Sequence, residues 1–191
     1  MPYEDSVSPI KKTLNHPKAS LVGRVTFICA LTRYKLQGLA IVYLDESGFE
    51  VDSPRTHGYS LRGERCYANK DWHARGRINV IGAIIGFTLL TVYLFNCNID
   101  SNVFYAWLTE DLIPRIPSRS VIVLDNASFH KRRDMIDAIE SAGHIPLFLP
   151  PYSPDLNPIE HKWAEVKARR RRERCDDINE LFLNEKYYAD L

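Results

Sequence analysis

Residues 120–125 read SVIVLD: Val121, Ile122, Val123 and Leu124 run without interruption into Asp125. A short apolar run rich in β-branched residues is the pattern of a strand buried on both faces. AIVYLDE, Ala40 to Glu46, repeats it, ending in Asp45 and Glu46. RINVIGAIIG (Arg77 to Gly86) and TLLTVYLFN (Thr88 to Asn96) are two further strands, and the short gap at Gly86-Phe87 predicts a hairpin. IPLFLP supplies a strand near Ile145 to Leu149.

Helices fall between them. Asp100 or Ser101 can cap one that runs to about Ile113, where Pro114 helps to end it. Another runs from about Lys131 to Ala142 and stops at Gly143. PPYSPDLNP, residues 150–158, holds too much proline for either regular element; a helix starts at about Pro158 and a last one spans roughly Asp177 to Tyr188. Upstream, Leu21, Val25, Ile28 and Leu31 repeat at helical spacing from Ser20 to about Gly38, although Val22, Val25, Thr26, Phe27 and Ile28 would also suit a strand. Strand, hairpin, helix, strand, helix, strand, helix, helix is the order of an α/β protein with a mixed sheet flanked by helices.

The 191 residues, 45% of them hydrophobic, suffice for one packed domain. A net charge of +1 implies no nucleic-acid partner by itself, but KARRRRER, Lys167 to Arg174, concentrates cations locally. The four cysteines, Cys29, Cys66, Cys97 and Cys175, form no C-x-x-C pair and no zinc spacing. Cys29 and Cys97 sit in apolar runs and read as reduced core thiols, which points to a reducing, cytoplasmic compartment. Residues 1–18 read as an exposed arm without the apolar core of a signal peptide, and Arg24, Arg33 and Lys35 break the Leu21–Leu39 run too often for a membrane span.

Three acids stand out by position. Asp45 and Asp125 end strands, where ligand sites collect in open α/β sheets. Glu160 lies in the first turn of the helix after PPYSPDLNP. Gathered together they would repel one another, and magnesium or manganese would remove that repulsion. Two such ions can clamp the attacking and leaving oxygens of a phosphodiester displacement. Each acid also has a plainer explanation. Either aspartate can simply form a turn. With Asn157 as N-cap and Pro158 at the first helical position, Glu160 falls at the capping-box position.

IVYLDESGF, VIVLDNASFH and LFLPPYSPDLNPIEHKW resemble the three acidic motifs of the DDE transposases of the mariner superfamily, on its bacterial insertion-sequence branch. Positions 126–159, 34 residues, separate the second acid from the third, as in that family. The resemblance implies a ribonuclease-H-like fold with Asp45, Asp125 and Glu160 as catalytic residues and as ligands of two divalent ions, Mg2+ or Mn2+. It further implies hydrolysis at an element's end, attack of the freed 3′-hydroxyl on target DNA, and no covalent protein–DNA intermediate. Double-stranded DNA is the implied partner, with a homodimer in a transposition complex and a nucleoid-associated bacterial setting. Family members carry helix-turn-helix modules before the catalytic domain, and KKTLNHPK resembles the linker between the two parts. The expected layout is therefore an arm or linker with a helix over 1–38, a catalytic domain over 39–175 and a packed C-terminal helix over 176–191. Two alternatives stay open: another nuclease of this fold, and a non-catalytic DNA-binding remnant.

Around the triad, His130 can touch a phosphate at the rim of the site or cap the helix that follows it. His161 should point about 100° away from Glu160 around the helix. Ile159, Trp163 and Val166 form the core stripe of that helix. Lys167, Arg169, Arg170, Arg171 and Arg172 are the candidate DNA contacts, with Lys167 and Arg171 on the flank of Glu160. Trp72 among Lys70, His73, Arg75 and Arg77 reads as a core or edge tryptophan, or as one that stacks on a base.

Overall fold

A computed structural model gives the arrangement of residues 19–50, 76–175 and 177–183; the expected N-terminal arm, the KKTLNHPK segment, Cys66 and Trp72 lie outside the described residues. Five strands, β1 (Ile41–Glu50), β2 (Arg77–Ile85), β3 (Thr88–Phe95), β4 (Val121–Leu124) and β5 (Ile145–Phe148), form one sheet in the order β3-β2-β1-β4-β5. The β2–β3 hairpin turns at Gly86, whose φ of +61° a side-chain-free residue adopts without strain. Pairing is antiparallel among β1, β2 and β3 and parallel across β1, β4 and β5, the mixed sheet expected from the element order.

Both faces are covered. On one, Val42, Leu44, Ile81, Ala83, Ile122 and Leu124 pack beneath α2 (Ser101–Trp107) and α4 (Arg133–Ser141). On the other, Tyr43, Phe49, Val80, Ile84 and Val123 pack against α1 (Leu21–Leu36), α5 (Ile159–Glu173) and α6 (Ile178–Phe182). Each fully buried large apolar side chain contributes about 1.5–3 kcal/mol relative to exposure, so this two-sided burial is the main driving force for the fold. Asp100 caps α2 by accepting from the backbone N–H groups of Asn102 and Val103. That helix continues through a π-turn, Leu108–Leu112, into α3 (Ile113–Arg115), so Pro114 stands inside its last turn instead of after it. Among the described residues no helix is long and apolar enough to cross a membrane.

Three expectations need correction. The helix α1 forms, capped by Ser20, but Leu21, Val25 and Ile28 face outward. Phe27, with Leu31 and Tyr34, packs on the sheet instead. Apolar residues surround this helix on all sides, and the stripe carrying two aromatic rings buries more area. Cys29 and Cys97 are exposed, not core thiols; Cys29 rides on the outward face of α1 and Cys97 lies beyond the end of β3.

The third concerns Arg170, expected to contact DNA, which is only 5% exposed. Its Nη1 donates to the carbonyl of Glu50 at the end of β1, and its Nε donates to the carbonyl of Cys175 at 3.2 Å. It follows Ile159, Trp163 and Val166 at helical spacing, so the core stripe itself carries it inward. Arg170→Ala leaves two carbonyls without their charged donor. The expected loss is about 2–4 kcal/mol of stability, whereas the exposed Arg171→Ala should stay within about 0.5 kcal/mol. Denaturant melts of the two variants check this, and equal melts would show that Arg170 has no anchoring role.

Candidate active site

The parallel pairing of β1 with β4 sets Tyr43 opposite Val123 and ends there. Two residues further along each strand come Asp45 and Asp125, so the two acids leave adjacent strands at one level and on one face. Neighbouring strands lie about 4.8 Å apart, which holds these two backbones close whatever their side chains do. Contrary to the sequence expectation, β1 does not end at Asp45; it runs to Glu50, paired on that stretch with β2. The end lies in β4, and its stopping after Leu124 opens the space beside Asp45.

The third acid arrives on α5. Asn157 does not cap this helix; its Nδ2 donates to the carbonyl of Leu44 at 3.2 Å, next to Asp45, while Pro158 takes the N-cap position. Asn157 thereby staples the proline-rich segment to β1 and starts α5 over the strand ends. Glu160 consequently has no capping partner, and it lines a cavity of about 400 Å³ with Asp45, Asp125, Asn126, Tyr152 and Asn157. His161 is not among the residues lining it.

Trp163, expected only as a core residue, also belongs to the site. Its indole N–H donates to Asp45 Oδ2 at 3.0 Å. The ring reaches that position by lying on Gly82, the residue paired with Asp45 on β2. A Cβ at Gly82 would meet Cη2 of the ring at 2.5 Å. A glycine inside an apolar strand was the sequence signal for this close approach.

The electrostatics divide the acids. Burial, then the nearby Glu160 and Asp125 carboxylates, push the Asp45 carboxyl up to about 7, against the pull of hydrogen bonds from the Glu46 backbone and Trp163. Burial would raise Asp125 as well, but hydrogen bonds from His130 and the Ala127 N–H hold it below the usual carboxylate range. His130 is neither at the rim nor a helix cap. It is buried, its Nδ1 against Asp125 Oδ1 and its ring on Phe104 at 4.4 Å between centroids. Its Nε2 lies 3.3 Å from Glu46 Oε1, a charge contact and not a well-aligned hydrogen bond. Burial lowers the His130 pKa, and the two carboxylates outweigh that and raise it.

The donor set suits a hard divalent cation, because all three residues offer oxygen and their mutual repulsion is what such an ion relieves. As the side chains stand, no three His, Cys, Asp or Glu among the described residues are gathered tightly enough to hold one. The fit therefore rests on donor chemistry and backbone placement. Beyond the acids, Lys167 lies with its ammonium 5.3 Å from the Phe49 ring centroid, Arg169 pairs with Glu173 at 2.7 Å, and Arg171 is exposed.

Asp45 binds its proton more tightly when folded than when unfolded. The metal-free protein is therefore most stable below about pH 4 with respect to this group, and loses that contribution as the pH rises through about 7. Asp45→Asn removes the penalty. It should stabilise the metal-free protein at pH 8 by on the order of 2 kcal/mol, allowing for solvent screening, and do little at pH 4. Thermal melts at the two pH values test this; no gain at pH 8 would mean that neither burial nor the neighbouring carboxylates penalise the charged form of Asp45.

Residues 40–182 match the model of the DDE superfamily endonuclease family. None of the curated proteins matches significantly. Among solved structures, the chain is similar to the Mos1 strand transfer complex, at 20% identity over 97% of this chain and 60% of that one, with a TM-score of 0.73. The Mos1 mariner paired end complex with Mn gives 19% identity, 97% and 60% coverage and a TM-score of 0.72. The catalytic domain of Mos1 mariner transposase gives 18%, 95% and 86%, and 0.61. These likenesses establish the fold, and the chain spans about 60% of the length of the Mos1 chains in the two complexes. The family model reaches from the first residues of the sheet to the last described helix and takes in all three acids: the chain belongs to the DDE superfamily endonucleases.

Proposed function

We propose that this chain is a transposase catalytic domain, residues 39–175 with the helix after them, of the bacterial insertion-sequence branch of the mariner superfamily. It cleaves a DNA strand and joins the freed 3′-hydroxyl to target DNA, with two divalent ions held by Asp45, Asp125 and Glu160. The observation that carries this reading is the common level of Asp45 and Asp125 on parallel neighbours, with Glu160 across the same cavity. The Mos1 complexes with Mn and with Mg support divalent ions, and those with transposon ends and of strand transfer support DNA as partner. The paired-end complexes support a homodimer.

When bound, the ions lower the pKa of an attacking water and stabilise the entering and leaving oxygens. The chain's own groups prepare the site for this. Trp163 fixes one oxygen of Asp45. His130 and the Ala127 N–H occupy Oδ1 of Asp125 and leave Oδ2 for the cavity. Leu149, Pro150 and Pro151 line the cavity beside the acids. On the flank of Glu160, Lys167 and Arg171 meet phosphates, whereas Arg169, paired with Glu173 at 2.7 Å, projects from the opposite side of the helix.

Asp125→Asn should abolish magnesium-dependent nicking of supercoiled plasmid and leave DNA binding intact or slightly tighter, since it removes a negative charge beside a phosphate. Nicking at the wild-type rate would disprove the assignment. A pre-cut 3′-hydroxyl end separates the transposase reading from a simple nuclease, which would not join it.

Replacing Lys167 and Arg171 together by Ala should flatten the slope of log affinity against log salt by up to about one unit per lost contact. A slope equal to the parent's would remove both from the DNA surface.

A further inference from the structure

The sheet face opposite Trp163 carries a second cleft, of about 410 Å³, lined by Glu46, Arg77, Asn79, Asn98, Asp125 and His130. Among the described residues, the helical layer on this face covers Leu44, Ile81 and Ala83 but not the outer ends of β1 and β2. There the strand alternation sets Glu46, Gly48, Asn79 and Arg77 on one surface. Asn79 donates from Nδ2 to the carbonyl of Cys97 at 2.8 Å, which fixes the loop carrying Asn98 as one wall. Asp45 and Asp125 line this cleft and the catalytic cavity alike, so the two are continuous at the acids.

Arg77 is the unusual member. Glu50 stands directly opposite it on β1, yet Arg77 forms no ion pair among the described residues. Its guanidinium instead lies diagonally across Gly48, where a Cβ would meet Nε at 1.8 Å and Nη2 at 2.1 Å. The missing side chain at position 48 is what allows this placement. The result is a planar cation with no acidic partner among the described residues, aimed along the strand toward the acids, next to an amide wall. Glu46 and Asp125 share the cleft, with His130 between them.

We propose that Arg77, laid over Gly48, holds a backbone phosphate of the DNA strand being cut. Gly48 lies three residues beyond Asp45 on β1, about 10 Å at the rise of an extended strand. That is about three nucleotides at the ~3.4 Å rise per strand of duplex DNA. A guanidinium suits the task because its fork meets two phosphate oxygens at once. The proposal rests on the reading that the acids cut nucleic acid.

The test measures binding of a short labelled duplex of arbitrary sequence across a salt series, in an Asp125→Asn background that keeps the DNA whole. Arg77→Ala should weaken binding roughly tenfold, as loss of a charge-assisted contact does, and flatten the salt slope by about one. Gly48→Ala keeps the charge but pushes the guanidinium aside; it should weaken binding several-fold with an unchanged melting temperature. Arg77→Lys should restore part of the loss. Should Gly48→Ala fail to fold, Arg77→Gln decides the matter alone. Parental affinity and slope in Arg77→Ala, Arg77→Gln and Gly48→Ala overturn the subsite. If the otherwise wild-type chain nicks plasmid while those variants bind normally, only the subsite falls. If it neither nicks nor binds DNA, the nuclease reading falls and takes the subsite with it.

Discussion

The pairing of β1 with β4 in parallel register is the constraint on which the rest depends. It is three residue pairs long, Ile41 to Tyr43 against Val121 to Val123, and it aligns two strands that meet at no other point. A slip of one residue would turn every side chain of one strand to the opposite face. The apolar positions leave no freedom to slip, because Val42 and Ile122 belong to one core layer and Tyr43 and Val123 to the other. Hydrophobic burial therefore sets the relative height of Asp45 and Asp125, and the acids themselves have no part in the choice. That explains how like charges come to sit together: each aspartate extends a strand whose position was decided by packing.

Much of this was legible in the sequence. The runs IVYL and VIVL read as buried strands, and Gly86 and Asp100 marked a turn and a cap that the structure contains. The acids at the ends of the two runs and the one after the proline-rich segment, singled out by position, line one cavity in the structure. What could not be read was the choice between equal candidates. Helix α1 offered two apolar stripes, and only the sheet's shape selected Phe27 and Tyr34. Asn157 had the chemistry of a cap, but the carbonyl of Leu44, brought from 113 positions away, was the better partner. His130 looked like a surface residue because its two partners, Asp125 and Glu46, come together only once β1 and β4 are side by side. Arg170 was misread for a different reason: its charge drew attention away from a periodicity that already placed it in the core.

The two faces of the sheet treat charge differently. On the Trp163 side the acids are left repelling one another, a strained arrangement that a cation relieves. On the His130 side, acid and base are already matched, with an imidazole between two carboxylates. The site can thus respond strongly to a metal on one side while its framework stays electrostatically settled on the other. Low local polarity sharpens both effects, since unpaired and paired charges alike interact more strongly away from water.

The contact of Trp163 with Gly82 also bears on how such a sequence can drift. The indole fills the core with its body and holds Asp45 with its edge, so one side chain serves both packing and reactivity. A side chain at position 82 would force the ring at 163 to shift or shrink, and a smaller ring gives up the N–H that steadies Asp45. Glycine at 82 and tryptophan at 163 therefore act as one unit, and a change at either is felt at the carboxylate between them.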